Sequence, residues 1–443
     1  MPGKRELCNF FEPVRLQRMY DEKVKLHTTV GLDRITQDVF EKNLDENLEV
    51  IFRKVKAGTY KFTRYREMLI SKGKGKEPRV ISIPTIRDKL VLAMLHKILQ
   101  DSFYEEVKEP LLHSIIGGIT KTIREKNYDC FVKIDIKRFY ASINHSILEE
   151  KVATKIEDAS ILHLVHNAIT TETIPVNMPA PESELSSVGI PEGLSISNIL
   201  ADIYLADLEK KIIEKYDNLA YFRYVDDILI LCYASDAKVI KEYTISLLKN
   251  CYKLDNHEEK TICAKLSSKV PYLGYVFSDK KVSIRDEASN RIERVIEELF
   301  QLRKRNKISQ QVFEWRLNIK IAGCIHEKKK YGWMFYYSQI TDLEVLYHLD
   351  WYVDKLFSRF GFSPPKDLKR FVHVYHEITK NLKKSTYLIK TENYDRTDKE
   401  KVIFNVLKIR YAEDVDEKVI NEQFQKLMFR EVKKLERDIQ NFS

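Results

Sequence analysis

Two adjacent carboxylates, Asp226 and Asp227, stand inside Ala220-Tyr-Phe-Arg-Tyr-Val-Asp-Asp-Ile-Leu-Ile-Leu-Cys232, between two runs rich in β-branched and aromatic residues. Such runs favour strands, and the polar pair between them predicts the tip of a hairpin. Adjacent carboxylates repel, and each would prefer open water. A solvated turn accounts for an isolated Asp-Asp. A divalent cation also removes the conflict. Carboxylate oxygens are the ligands a hard ion such as Mg²⁺ takes, with substrate phosphates completing its shell. A third acid, Asp135, closes the β-type run Phe131-Val-Lys-Ile-Asp135 far upstream. A strand ending there can bring Asp135 beside the hairpin. Asp135 and Asp226 would then hold two metal ions about 4 Å apart, clamping the attacking and leaving oxygens of a phosphoryl transfer, with Asp227 as an auxiliary ligand.

These acids need a scaffold, and the hydrophobic pattern predicts one. Residues 1–60 read as helical and polar, with Leu48, Ile51, Phe52 and Val55 at helical spacing. Tyr60 to Pro84 holds β-type runs around a glycine–lysine loop, and Arg87–Leu99 reads as an amphipathic helix. Strand 129–136, helix 147–168 and an irregular stretch 170–188 follow. A long helix is predicted over 194–216, then the hairpin, a helix over 237–254, and short strands at 261–266 and 272–277. From about Arg285 alternation gives way to helical periodicity, with Phe362-Ser-Pro-Pro365 as a linker. The fold class is α+β, a mixed body followed by an all-helical tail.

Composition limits the options. The 443 residues allow roughly two to four domains. With 44% hydrophobic and 32% charged residues the chain is globular rather than disordered. No run of 18 apolar residues occurs, so no membrane span is predicted. The N-terminus lacks the apolar core of a signal peptide. The six cysteines are scattered without a Cys-x-x-Cys pair, which argues against a zinc site or a disulfide framework. A cytoplasmic setting is expected. Net charge is +9, and the basic residues cluster at Lys72–Lys76, Arg303–Lys307 and Lys328–Lys330. Clusters flanking a metal-type acid pair point to a polyanionic partner.

The ordered combination of Asp135 with Tyr140, Gly189-Ile-Pro-Glu-Gly-Leu-Ser-Ile-Ser-Asn198 and Tyr224-Val-Asp-Asp227 resembles the palm of a reverse transcriptase. It is most similar to bacterial enzymes of the group II intron, retron and defence-associated kind, over roughly residues 25–365. The resemblance implies a right-hand polymerase. Residues 61–128 and 145–188 would be fingers, 129–144 and 189–284 palm with an antiparallel sheet, 285–363 a helical thumb, 1–60 an N-terminal helical extension and 364–443 a helical C-terminal region. It implies two Mg²⁺ ions on Asp135, Asp226 and Asp227.

The same resemblance assigns Lys72 and Arg79 to the incoming triphosphate, which Arg can grip through two oxygens at once. Lys74 or Lys76 could take the place of Lys72. Tyr140 falls at the steric gate, where a ring under the sugar leaves no room for a 2′-hydroxyl. Gly193 lets backbone come close to nucleotide, while Ser195 and Asn198 could contact template or sugar. Lys260 sits where the family has a lysine near the leaving pyrophosphate, though a solvent lysine fits equally. Tyr272 and Gly274, in Tyr272-Leu-Gly-Tyr-Val-Phe277, resemble the primer-grip hairpin. One departure stands out: the family commonly has Gln in Pro-x-Gly, and this chain has Glu192.

The aromatic segments Phe313–Gly323 and Tyr331–Tyr337 resemble a thumb that tracks the template–primer duplex. Aromatics interleaved with basic residues suit nucleic acid, and aromatics at helical spacing equally suit a core. Residues 366–443 could bind a structured RNA, a partner protein or another copy of the chain. The absence of a zinc or HNH tail and of retron motifs favours the defence-associated group, by analogy alone. The expected activity is RNA-directed DNA synthesis from dNTPs, copying a structured non-coding RNA. The rivals are template-independent, protein-primed synthesis and a maturase-like RNA binder.

Overall fold

The alternating runs around the acids become the central sheet of the computed structural model, which describes residues 7–25, 29–71, 75, 77–107, 112–176, 186–278 and 281–439. Lys72, Lys74 and Lys76 lie outside the described residues. The chain divides into two units, Met1–Ile115 with Tyr128–Lys265, and Ile116–Asn127 with Leu266–Ser443.

In the first unit, β1 (Tyr65–Ile70) pairs antiparallel with β2 (Arg79–Ile83). The lysine-rich loop joins them. Strand β3 (Cys130–Asp135) leads toward the site, and the short β4 (Thr173–Ile174) adds parallel to β1. The hairpin strands are β5 (Leu219–Tyr224) and β6 (Asp227–Cys232), and β7 (Ile262–Lys265) completes a sheet of order β5-β6-β3-β7. Period-two alternation sorts the faces of this sheet. Cys130, Val132 and Ile134 of β3, with Ile228, Ile230 and Cys232 of β6, enter the main hydrophobic core. Asp135 and Asp227 therefore share the opposite face with Lys133.

Helix Ile86–Ser102 runs through that core, buried at Leu90, Val91, Leu92, Met94, Leu95, Ile98 and Leu99. Burial on so many sides makes it a core helix rather than an amphipathic surface one. Its N-terminus is fixed by Asp88, whose carboxylate accepts from Tyr60 (2.7 Å), the Thr63 amide (3.1 Å) and Thr85 (2.7 Å). The helix predicted over 194–216 is two, Ser197–Tyr204 and Leu208–Ile213. The break falls at Asp207, whose carboxylate is drawn to Lys151 and Lys211.

In the second unit, β8 (Val270–Tyr272) and β9 (Tyr275–Phe277) form a hairpin, as the family resemblance implied, where the residue pattern alone read one short strand over 272–277. Leu273 (φ +47°) and Gly274 (φ +80°) supply a two-residue turn with positive φ at both positions. β10 (Val282–Ile284) pairs with β9. Helices then dominate, but β11 (Cys324–His326) and β12 (Lys329–Tyr331) make a small sheet that periodicity misses, because three residues are too few to show alternation. The last helix, Glu417–Ile439, packs Ile420, Phe424, Leu427, Met428, Val432 and Leu435 into a core shared with Ile319 and Ile403. Arg316 grips Glu431 through two nitrogens (2.8 and 3.2 Å). Residues beyond the Pro-Pro linker thus belong to the same packed unit as the helices before it. Among the described residues no helix is long and apolar enough to cross a membrane.

Candidate active site

Antiparallel pairing of β3 with β6 sets Asp135 directly opposite Asp227, and pairing of β5 with β6 sets Tyr224 opposite Asp227. Directly opposed side chains lie roughly 5 Å apart at Cβ, and like charges there destabilise the sheet. Val225 and Asp226 are the two turn residues. Only Val225 has positive φ (+55°), the pattern of a type II′ turn, where glycine is the usual residue. A β-branched side chain in that region costs about 1–3 kcal/mol and persists only where surroundings impose it. Arg223 imposes it: its guanidinium donates to the Val225 carbonyl (3.2 Å) and to Asp202 of helix Ser197–Tyr204 (2.7 Å).

The three acids are treated differently by their neighbours. Lys260 donates to Asp135 (3.2 Å). The His257 amide donates to the Asp135 carbonyl (2.8 Å), so the loop carrying Lys260 is tied to the end of β3. Lys133 lies 3.6 Å from Asp227, with both side chains largely buried. Among the described residues Asp226 has no such cation within ion-pair distance. Burial, then the charges of Asp227 and Asp135, push its carboxyl up to about 6. Lys133 was legible in the sequence: two residues before Asp135 on a strand, it must share that acid's face. Arg223 and Asp202 carried no such signal.

Tyr140 lies in the short helix Phe139–Ser142, immediately after β3. Its hydroxyl donates to Asn198 Oδ1 (2.6 Å), and its carbonyl accepts from the Ile190 amide (2.8 Å). Burial, then the Asp226 charge, raises the phenol, so it stays protonated and donates. Gly193 has φ +96°, and a Cβ there would meet Ile81 Cγ2 at 2.6 Å, so only glycine lets this loop lie against β2. Ser195 and Asn198 are exposed beside it. Arg79, on β2, is bonded through Nε to Glu192. The structure thus gathers Asp135, Asp226, Asp227, Tyr140, Asn198, Gly193, Ser195, Arg79 and Lys260 in the first unit, and Lys72 lies outside the described residues.

Tyr272 and Gly274 sit in the second unit. The Tyr272 ring is fully buried, so in this conformation it cannot touch a nucleic acid. The hairpin is fastened instead to Trp333–Tyr336: Tyr275 donates to the Tyr336 carbonyl and Tyr336 to the Leu273 carbonyl (3.1 Å). Trp333, Phe335 and Tyr337 are buried too. The aromatics read as either nucleic-acid surface or core are core at these positions. Trp351 is the contrary case, 53% exposed with Lys355 over its ring at 5.6 Å.

The acids suit a divalent cation, since three carboxylates at one sheet end carry more negative charge than two lysines balance, and Asp226 registers the excess. Among the described residues no three His, Cys, Asp or Glu donors already surround one point. Asp135 and Asp227 would have to exchange a lysine for an ion.

An antiparallel sheet that presents three acids beside a tyrosine ring and a glycine loop resembles a polymerase palm. Residues 70–277, a little under half of the chain, match the family described as reverse transcriptase (RNA-dependent DNA polymerase), and the chain resembles group II intron-encoded proteins. It is 24% identical to the group II intron-encoded protein LtrA of Lactococcus lactis subsp. cremoris, covering 75% of this chain and 65% of that protein. The chain thus spans a little under two thirds of that relative's length. It is also 24% identical to protein YkfC of Escherichia coli, covering 67% of this chain and 86% of YkfC. Among solved structures, telomerase from Candida tropicalis with a telomeric RNA fragment covers 91% of this chain and 65% of its own at 14% identity, with a TM-score of 0.44.

Proposed function

We propose that the chain is an RNA-directed DNA polymerase that joins dNTPs to a primer on an RNA template. The observation that carries this reading is the strand register that sets Asp135 against Asp227 with Asp226 at the adjoining turn. Asp135 and Asp226 would hold two Mg²⁺ ions and Asp227 would assist. Such ions, when bound, stabilise charge on the attacking and leaving oxygens. The chain's own residues do the rest. Arg79 grips the triphosphate, with Lys72 or a neighbouring lysine. Lys260, held at Asp135, stands ready to give a proton to the departing pyrophosphate. Asn198 fixes the Tyr140 ring through its hydroxyl, and the ring shuts out a 2′-hydroxyl.

The test is extension of a labelled DNA primer on an RNA template with dNTPs and Mg²⁺. Wild type should extend it and EDTA should stop it. Failure to extend, with RNA binding intact, would favour a maturase-like binder. Product that stays with protein after phenol extraction would favour protein priming. Sequencing of nucleic acids copurified from phage-infected and uninfected cells would show whether a cognate non-coding RNA is copied and whether defence is the setting.

The gate makes a separate prediction. Tyr140→Ala should lower dNTP-over-rNTP discrimination in kcat/KM by roughly 10- to 100-fold, since rejecting one hydroxyl by shape is worth about that. Tyr140→Phe, which keeps the ring and loses only the Asn198 bond, should keep most of the selectivity. Equal selectivity in wild type and Tyr140→Ala would remove the gate assignment.

A further inference from the structure

We propose that Glu192 is an internal competitor for the triphosphate, an acid that holds Arg79 until the nucleotide's phosphates displace it and so sets the affinity of the site for nucleotide. The inference rests on the polymerase reading and goes beyond it.

The pair joins residues 113 apart in sequence, the Arg79 guanidinium on β2 and the Glu192 carboxylate in the glycine loop. The backbone around Glu192 leaves it little freedom. Its carbonyl accepts from the Ser82 amide (2.7 Å), and Ser197 donates to the Pro191 carbonyl (2.6 Å). Gly193 is pressed against Ile81. Both side chains of the pair stay partly open, 39% for Arg79 and 28% for Glu192. A solute anion can therefore reach the guanidinium.

Carboxylate and phosphate seek the same N–H donors of a guanidinium. One Nε–H cannot serve both, so the phosphates must evict Glu192 to use it. Eviction leaves a carboxylate beside incoming phosphate, in the same neighbourhood as Tyr140 and Asp226, whose ionisation feels Arg79. A glutamine at this position would hold Arg79 only as a neutral amide and would repel nothing. Glu192 acts through Arg79 and is a positioning residue.

The experiment measures KM and kcat for dTTP on poly(rA)·oligo(dT) with full-length wild type, Glu192→Gln and Glu192→Asp, and equilibrium binding of a fluorescent dNTP in Ca²⁺. Glu192→Gln should lower KM and the dissociation constant by roughly 3- to 10-fold, the range of a half-exposed charged pair, with kcat within about twofold. Glu192→Asp, which keeps the charge, should stay closer to wild type. The gain should vanish in Arg79→Ala/Glu192→Gln. An unchanged or raised KM in Glu192→Gln would overturn the proposal and make the pair a brace that readies Arg79. So would a gain that survives the loss of Arg79. If wild type incorporates dTTP and no tightening is seen, the competitor fails alone. If nothing is incorporated but nucleotide binding tightens through Arg79, the polymerase reading fails and the competition stands.

Discussion

Asp226→Asn should abolish primer extension and, in the absence of metal, make the protein more stable. Removing one of three carboxylates removes charge stabilisation worth several kcal/mol, which at roughly 1.4 kcal/mol per decade costs about 10³-fold or more in kcat. The stability effect has the opposite sign. In the folded chain burial and two neighbouring acids raise the Asp226 carboxyl from its ordinary 3.8 to about 6. Below the unfolded value the group is protonated in both states and costs nothing. As pH rises through about 6 the folded state must accept an unwelcome charge, and stability falls by about 1–3 kcal/mol. Asparagine avoids that charge. Thermal denaturation in EDTA at pH 7.5 should show the variant melting a few degrees above wild type. The gap should close as pH approaches 4. Added Mg²⁺ should raise the wild-type midpoint more than that of the variant. A variant that melts lower at neutral pH without metal would contradict the crowded-acid description.

Gly323→Ala should lower the midpoint of the second unit by roughly 10 °C, from a loss of about 3–5 kcal/mol. Gly323 ends helix Gln310–Ala322 with φ +68° and ψ −167°, a conformation essentially confined to glycine. A Cβ there would collide with the Tyr331 carbonyl and lie 2.8 Å from the Phe335 ring. Gly332 approaches from the other side, where a Cβ would fall 2.6 Å from the Gly323 Cα. Two glycines back to back let the ends of β11 and β12 close against each other beside the Phe335 ring. Gly361 is the control. It ends helix Glu344–Phe360 with φ +69°, but nothing lies within 4 Å of its missing Cβ. Gly361→Ala should cost only about 1 kcal/mol. Equal losses in a melting experiment would show that conformation alone, and not close approach, governs Gly323.

The acids were legible because their setting is local. A β-branched run, two aspartates and a second such run specify a hairpin, and a strand ending in Asp135 can only present it at a sheet edge or end. Family likeness then supplied Tyr140, Gly193 and Arg79. The Arg79–Glu192 bond was not legible, since it joins a strand and a loop 113 residues apart through tertiary packing. The turn at Leu273-Gly274 came from family likeness alone, since a leucine takes positive φ there without an Asn or Asp to announce it. Trp333 and Trp351 show why aromatic spacing alone decides little. Both lie in helices, yet one is 1% exposed and the other 53%. Only the partners of each helix distinguish them.

The route of the chain bears on how the molecule is made. Helix Leu112–Glu125 passes from the first unit into the second, after which Tyr128–Lys265 returns to the first. Its Ile116 and Ile119, fully buried in the finished protein, leave the ribosome well before residue 266 is synthesised. At about 5–20 residues per second they wait roughly 7–30 s before the rest of their unit even begins to emerge. Early domain completion on the ribosome is therefore open to neither unit at its first residues, and an expressed fragment starting at residue 266 would lack two of its own core side chains.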